Sequence, residues 1–233
     1  MPDKKIKIPA FDGDAFSAYI ALPEITPAPA IIVIQEIFGI NADIREKCDE
    51  LAREGYIAIA PDLFWRIEPE IELIDSIEEQ LQRAFELFGE FNQETGLEDL
   101  KTTLGYAHNM KECNGKVGAI GYCLGGKLAY MLSTASDIDA SVSYYGVAIE
   151  TMLGDKEHIT TPLMLHIAGN DEYVPPEAQT QIITAFQNYP HVETHQYAGQ
   201  DHAFTRINGT HYDESATALA NNRTTTFLNK NLK

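Results

Sequence analysis

Cys123 lies between glycines in the stretch GYCLGG (121–126), where strand-forming residues give way to helix-forming ones. Residues Gly121, Tyr122, Cys123, Leu124 and Gly125 fit the pattern G-x-nucleophile-x-G, a strand-to-helix turn sharp enough to lift a side chain above a sheet. Glycines two residues to either side let the strand and the helix approach without side-chain collision. The helix N-terminus favours a thiolate over a thiol. Two other readings compete. GYCLGGK also satisfies G-x-x-x-x-G-K, but Leu128 follows where a phosphate-binding loop needs Ser or Thr for magnesium. A free cysteine is also often a small buried hydrophobe, the role expected of Cys48 and Cys113.

Partners in the order nucleophile, acid, histidine decide among these. LMLHIAGNDEYVP (163–175) is an apolar run followed by a Gly-Asn-Asp loop, which places Asp171 at the end of a strand. THQYAGQDHAF (194–204) is a second strand whose following loop carries His202. Cys123, Asp171 and His202 then each sit just past a different strand. In such a triad the histidine moves the proton, while the acid holds its tautomer and stabilises its charged form. Of the seven histidines, His166 and His195 fall inside strands. His108, His158, His191 and His211 fall in helices or irregular segments. Asp201 and Glu172 are acids adjacent in sequence to the chosen pair, and neighbours point elsewhere, so Asp171 is preferred.

Positioning these residues requires a framework, and the chain supplies alternating signals for one. Strand-like runs occupy 30–35, 56–60, 116–122, 140–146, 162–169 and 192–198. Most are almost continuously apolar, as parallel strands buried on both faces are. Helical patterns occupy 44–53, about 74–91, 96–111, 124–135, 176–189 and 213–228. Residues 5–22 read as a hairpin turning at Asp12-Gly13. This alternation predicts an α/β fold with a mostly parallel central sheet, helices on both faces and an N-terminal hairpin. In open sheets of that kind, function gathers at the carboxyl ends of strands. No repeat or linker interrupts the pattern, so one domain spanning 1–233 is expected.

The chain has 233 residues and a formal charge of −18. With 17 scattered Lys and Arg, it lacks the basic patch that nucleic-acid binding needs. No secretory signal opens the sequence, and its longest apolar stretch is too short to cross a bilayer. Three distant cysteines suggest neither a disulfide framework nor a zinc site. A cytoplasmic protein, most simply a monomer, that uses no metal or cofactor and binds neither nucleic acid nor membrane is expected.

Taken together, QEIFG (35–39), APDLFWR (60–66), GKVGAIGYCLGG (115–126), SYYG (143–146), GNDEYVP (169–175) and GQDHAF (199–204) resemble the dienelactone hydrolases. These enzymes, also called carboxymethylenebutenolidases, have the α/β-hydrolase fold, and the resemblance runs from about residue 11 to 228. It implies hydrolysis of a small ester or lactone by Cys123, Asp171 and His202 through a thioester. It implies that Glu36 keeps the resting thiol protonated and accepts its proton when substrate arrives. A carboxylate at the mouth of a sheet is costly unless paired or useful, which supports that role against one as a solvated strand-end acid. The backbone N–H groups of Ile37 and Leu124 would form the oxyanion hole. Arg206 matches one of the family's carboxylate-binding arginines. At the positions of a second Arg and a Tyr that help hold the substrate carboxylate, however, this chain has Leu81 and Phe85, with Arg83 on another helix face. Hydrolase chemistry is expected, with a weakened preference for anionic substrates. A non-catalytic ligand- or partner-binding protein of the same fold is the alternative.

Overall fold

A computed structural model describes residues 4–233. By internal contacts these fall into two compact units, up to Ala119 and from Ile120 onward.

In the first unit β1 (Lys5–Pro9) and β2 (Ala15–Ala21) form the expected antiparallel hairpin, with Gly13 at φ +97° in the turn. β2 runs antiparallel to β4 (Ile57–Pro61), which is parallel to β3 (Ala28–Ile34) with Ala30 opposite Ile57. Every residue of β3 and β4 is buried, which explains their unbroken apolar character. Completely burying one such Ile or Val contributes roughly 1.5–3 kcal/mol. Helix α1 (Ala42–Arg53) begins at Asn41, whose side chain accepts the Ile44 N–H at 3.2 Å, and buries Ile44, Cys48 and Leu51. α2 (Glu78–Glu90) and α3 (Gln93–His108) meet at Asn92, which caps α3. A single apolar pattern over 74–91 thus contains a helix starting four residues later than expected. β5 (Cys113–Tyr122) leads out of this unit.

The second unit contains α4 (Leu124–Ala135), β6 (Ala140–Tyr144), β7 (Leu163–Ala168), α5 (Pro176–Phe186), β8 (Val192–Tyr197) and α6 (Glu214–Leu232). β6, β7 and β8 are parallel, with Ser141 opposite Leu163 and Leu163 opposite Val192. Tyr130 of α4, Leu165 and Ile167 of β7, and Ile182 and Phe186 of α5 pack into one apolar cluster. A 3₁₀ helix, Ile149–His158, has no counterpart in the sequence reading. Its apolar residues, Ile149, Met152 and Leu153, are too few to establish a helical pattern over so short a stretch. Cys113 differs from expectation: it is only half-buried, and its sulfur accepts the Gly115 N–H at 3.4 Å in a bend at the start of β5.

Candidate active site

The turn at Cys123 has the strained geometry of a nucleophile elbow. β5 ends at Tyr122, α4 starts at Leu124, and Cys123 between them takes φ 56° and ψ −114°. A non-glycine residue in that region costs on the order of 1–3 kcal/mol and needs its surroundings to hold it. The surroundings do so. The Cys123 N–H donates to the Tyr144 carbonyl at 3.0 Å, and its own carbonyl accepts the Lys127 N–H at 3.1 Å. A Cβ on Gly121 would collide with the Gly125 carbonyl. One on Gly126 would come within 2.7 Å of the Tyr144 oxygen and 2.8 Å of the Gly146 Cα. The glycines around Cys123 are therefore required by close backbone packing on both sides. As the first residue of α4, Leu124 has an N–H with no acceptor inside the helix, at its positive end.

Asp171, in the loop after β7, is fixed before it meets its histidine. Its Oδ1 accepts the N–H groups of Tyr173 at 2.8 Å and Val174 at 3.2 Å. Its Oδ2 lies 2.8 Å from His202 Nδ1, and both side chains are buried, at 1% and 8% exposure. With Nδ1 donating to this carboxylate, Nε2 of the neutral ring is left as an acceptor. Nε2 is itself buried and makes no well-formed hydrogen bond with a described residue. Burial opposes the imidazolium. When Cys123 is ionised, its charge and the Asp171 hydrogen bond outweigh burial, and His202 is pushed up to about 10. Cys123 therefore acts on His202 chiefly through charge, without a well-formed hydrogen bond between them. Asp201 is engaged otherwise: Asn170 donates to it at 2.5 Å and His211 lies 3.3 Å away. A cavity of ≈ 480 Å³ lies against this loop, lined by Asp171, Glu172, His202 and His211 among others.

His166, expected inside a strand, is a fully buried residue of β7, bonded to the Tyr197 hydroxyl at 2.7 Å and Thr224 Oγ1 at 2.9 Å. Desolvation holds it well below its ordinary value, so it stays neutral.

In the first unit, Glu36 lies two residues beyond the end of β3 and is only 2% exposed. It is a buried acid, which removes the reading of a solvated strand end. Gln35 shapes this turn, donating to the Glu36 carbonyl at 3.3 Å and accepting the Leu63 N–H at 3.1 Å. Ile37 is buried beside it. On α2, Leu81 is half-buried and Phe85 is 42% exposed. Ile77 and Phe88 lie on the same face at helical spacing and are also exposed, so an apolar stripe extends beyond what the unit covers. Arg83 is held by Glu68 at 2.9 Å, Glu86 at 2.9 Å and Glu90 at 3.5 Å on the helix surface. Arg206 is half-buried in the second unit, four residues after His202, its N–H donating to the Ala203 carbonyl at 2.9 Å. Among the described residues, no cluster of three or more His, Cys, Asp or Glu is arranged to hold a metal ion, and no helix is long and apolar enough to cross a membrane.

Two tyrosines beside His202 escaped the sequence reading. Tyr145 and Tyr173 place their rings 5.1 and 4.9 Å from the imidazole, at interplanar angles of 60° and 73°. Their segments, SYYG and GNDEYVP, stand out as motifs, but nothing in them says that both rings converge on one histidine.

A sequence profile described as the dienelactone hydrolase family matches residues 16–232. A carboxymethylenebutenolidase of Pseudomonas putida is 39% identical over 223 residues, covering 96% of this chain and 94% of that protein. Among solved structures, a dienelactone hydrolase-like promiscuous phosphotriesterase, P91, from metagenomic libraries superposes with a TM-score of 0.81 at 21% identity, covering 98% of both chains. The α/β hydrolase GrgF from Penicillium sp. sh18 gives 0.75 at 12% identity, covering 100% of this chain and 99% of the other. At those identities the structures speak for the fold alone, and the fold is that of the α/β hydrolases.

Proposed function

We propose a mechanism for a chain that belongs to the dienelactone hydrolase family and is, on that membership, a hydrolase of esters or lactones. Cys123 is the nucleophile, His202 the proton carrier and Asp171 its orienting acid, within a single catalytic domain. The observation that supports this most is the pairing of a strained Cys123 at a helix N-terminus with a buried, charge-coupled Asp171–His202 pair.

In the acylation step the Cys123 thiolate attacks the carbonyl carbon, forming a C–S bond as the carbonyl electrons move to oxygen. The N–H groups of Leu124 and Ile37 stabilise that oxyanion. Its collapse breaks the bond to the leaving oxygen, which takes a proton from the His202 imidazolium. In the second step His202 removes a proton from water, the hydroxide attacks the thioester, and the thiolate departs as the acid is released. Glu36 keeps the thiol protonated at rest and accepts its proton on substrate binding, and its burial supports a role beyond solubility. A resting thiol is also protected from oxidation.

The substrate is a small ester or lactone that is neutral or only weakly selected for charge. Arg206 is assigned as one carboxylate ligand by its match to the family pattern, whereas Leu81 and Phe85 present hydrocarbon, and Arg83 is held by three glutamates. One missing charge-assisted contact is worth roughly 1.5–3 kcal/mol, about ten- to a hundred-fold in kcat/KM. The test is kcat/KM for matched substrates with and without a carboxylate, in the wild type and in Leu81→Arg with Phe85→Tyr. The double variant is expected to gain on the carboxylated substrate. A strong wild-type preference for the carboxylate would contradict this assignment.

A further inference from the structure

The Asp171 carboxylate fixes one atom of the His202 ring, Nδ1. One hydrogen bond leaves the imidazole free to rock about that contact, yet proton transfer requires Nε2 to be aimed at both sulfur and leaving group. Two aromatic rings meet the imidazole from separate loops. Tyr145 follows β6 and adopts φ 39°, a region that a bulky non-glycine residue avoids unless it is held. It is held at both ends. Its N–H donates to the His166 carbonyl at 2.8 Å, and its hydroxyl bonds to Thr205 Oγ1 at 2.8 Å with both residues buried. Thr205 is three residues beyond His202, and Ala203 between them is also left-handed at φ 60°. Tyr173 is attached differently: its N–H binds Asp171, while 48% of the residue remains exposed.

We propose that Tyr145 and Tyr173 are positioning residues that brace the His202 ring: Tyr145 as a fixed buttress tied to Thr205, Tyr173 as an exposed one tied to Asp171. The brace gives the strain at Tyr145 a purpose, because the left-handed residue at the end of β6 carries the ring that meets the imidazole. Near-perpendicular ring pairs at 4.5–7 Å are favourable in their own right. In a near-perpendicular pair in which the imidazole edge meets a tyrosine face, protonation of His202 adds a cation–π attraction. The charged and titratable groups acting on that ring are Cys123 and Asp171, with Tyr173 itself close by.

This inference rests on His202 being the proton carrier, which loss of turnover in His202→Asn tests separately. The brace is tested with Tyr173→Leu, Tyr173→Phe, Tyr145→Leu, Tyr145→Phe and Thr205→Val in the full-length protein. Steady-state kinetics on a p-nitrophenyl ester is paired with an NMR titration of His202 in the Cys123→Ala background, where the nucleophile no longer titrates. Each Leu variant is expected to lower kcat about tenfold or more with KM little changed, and to lower the His202 midpoint by about half a pH unit. Tyr173→Phe should restore both values. Thr205→Val and Tyr145→Phe should reproduce part of the Tyr145→Leu loss in kcat, because the ring loses its tie. Tyr173 is exposed, so its variants are expected to fold even if Tyr145→Leu does not. Wild-type kcat and an unmoved midpoint in Tyr173→Leu and Tyr145→Phe, with or without a change in melting temperature, would overturn the proposal.

Discussion

Asp171 Oδ2 lies 2.8 Å from His202 Nδ1 while Oδ1 of the same carboxylate accepts two backbone N–H groups of its own loop. The acid is therefore oriented by the backbone and orients the histidine in turn. Asp171→Asn preserves an acceptor for the loop N–H groups but loses the carboxylate charge and favours the wrong imidazole tautomer. It is expected to lower kcat on the order of a thousand-fold or more with a much smaller change in unfolding midpoint. Retention of more than a tenth of wild-type kcat would count against the triad.

The coupling between Cys123 and His202 has a pH signature. With Cys123 ionised, His202 binds its proton more tightly in the folded protein, pushed up to about 10 from 6.5: burial opposes the charge, but the thiolate and the Asp171 hydrogen bond prevail. A raised folded value means that the contribution to stability is complete below about pH 6.5 and is lost as pH rises toward 10. Cys123→Ala removes the largest favourable cause, so its His202 should titrate lower and its stability should fall less across that window. Urea unfolding from pH 6 to 10, with NMR of the imidazole, measures both. Identical midpoints in the two proteins would show that the thiolate does not hold the proton.

Glu36 is tested by the accessibility of the thiolate. Glu36→Gln should lose turnover well beyond its loss in stability, and its alkylation by iodoacetamide should follow a different pH profile from the wild type, with and without a substrate analogue. An unchanged profile would leave Glu36 a structural buried acid.

Much of this candidate site was legible because each member of the proposed triad follows a strand-like run. Residues 163–169 are almost continuously apolar and β7 is buried throughout, whereas 192–198 reads as a strand from Val192, Thr194 and Tyr197 and buries only Val192 and Tyr197; the loops after them contain the acid and the histidine. The helix predicted at 124–135 coincides with α4, since the elbow marks its start as sharply as a capping residue does. Helix ends set by tertiary packing were less legible. α2 starts at Glu78 and has no side-chain cap, and the apolar residues before it, Leu73 and Ile74, belong to the preceding loop. Backbone strain at Tyr145 and Ala203 left no composition signal, because neither residue is one that the left-handed region favours. The hydrogen bond between Tyr145 and Thr205 spans sixty residues, a pairing that local periodicity cannot reveal. Burial of Glu36 was likewise invisible, since a strand-end acid in sequence is compatible with either solvent or core.

The covalent role of Cys123 is the claim on which the rest depends, and the most direct test is kcat/KM of Cys123→Ala on a simple p-nitrophenyl ester, with Cys48→Ala and Cys113→Ala beside it. Cys48 is buried and its thiol pushed up by desolvation, and Cys113 only shapes a bend, so neither is poised for attack. The expected result is a loss on the order of ten-thousand-fold in Cys123→Ala with the fold intact, and near wild-type activity in the other two. A loss of only a few-fold in Cys123→Ala would contradict the thioester mechanism.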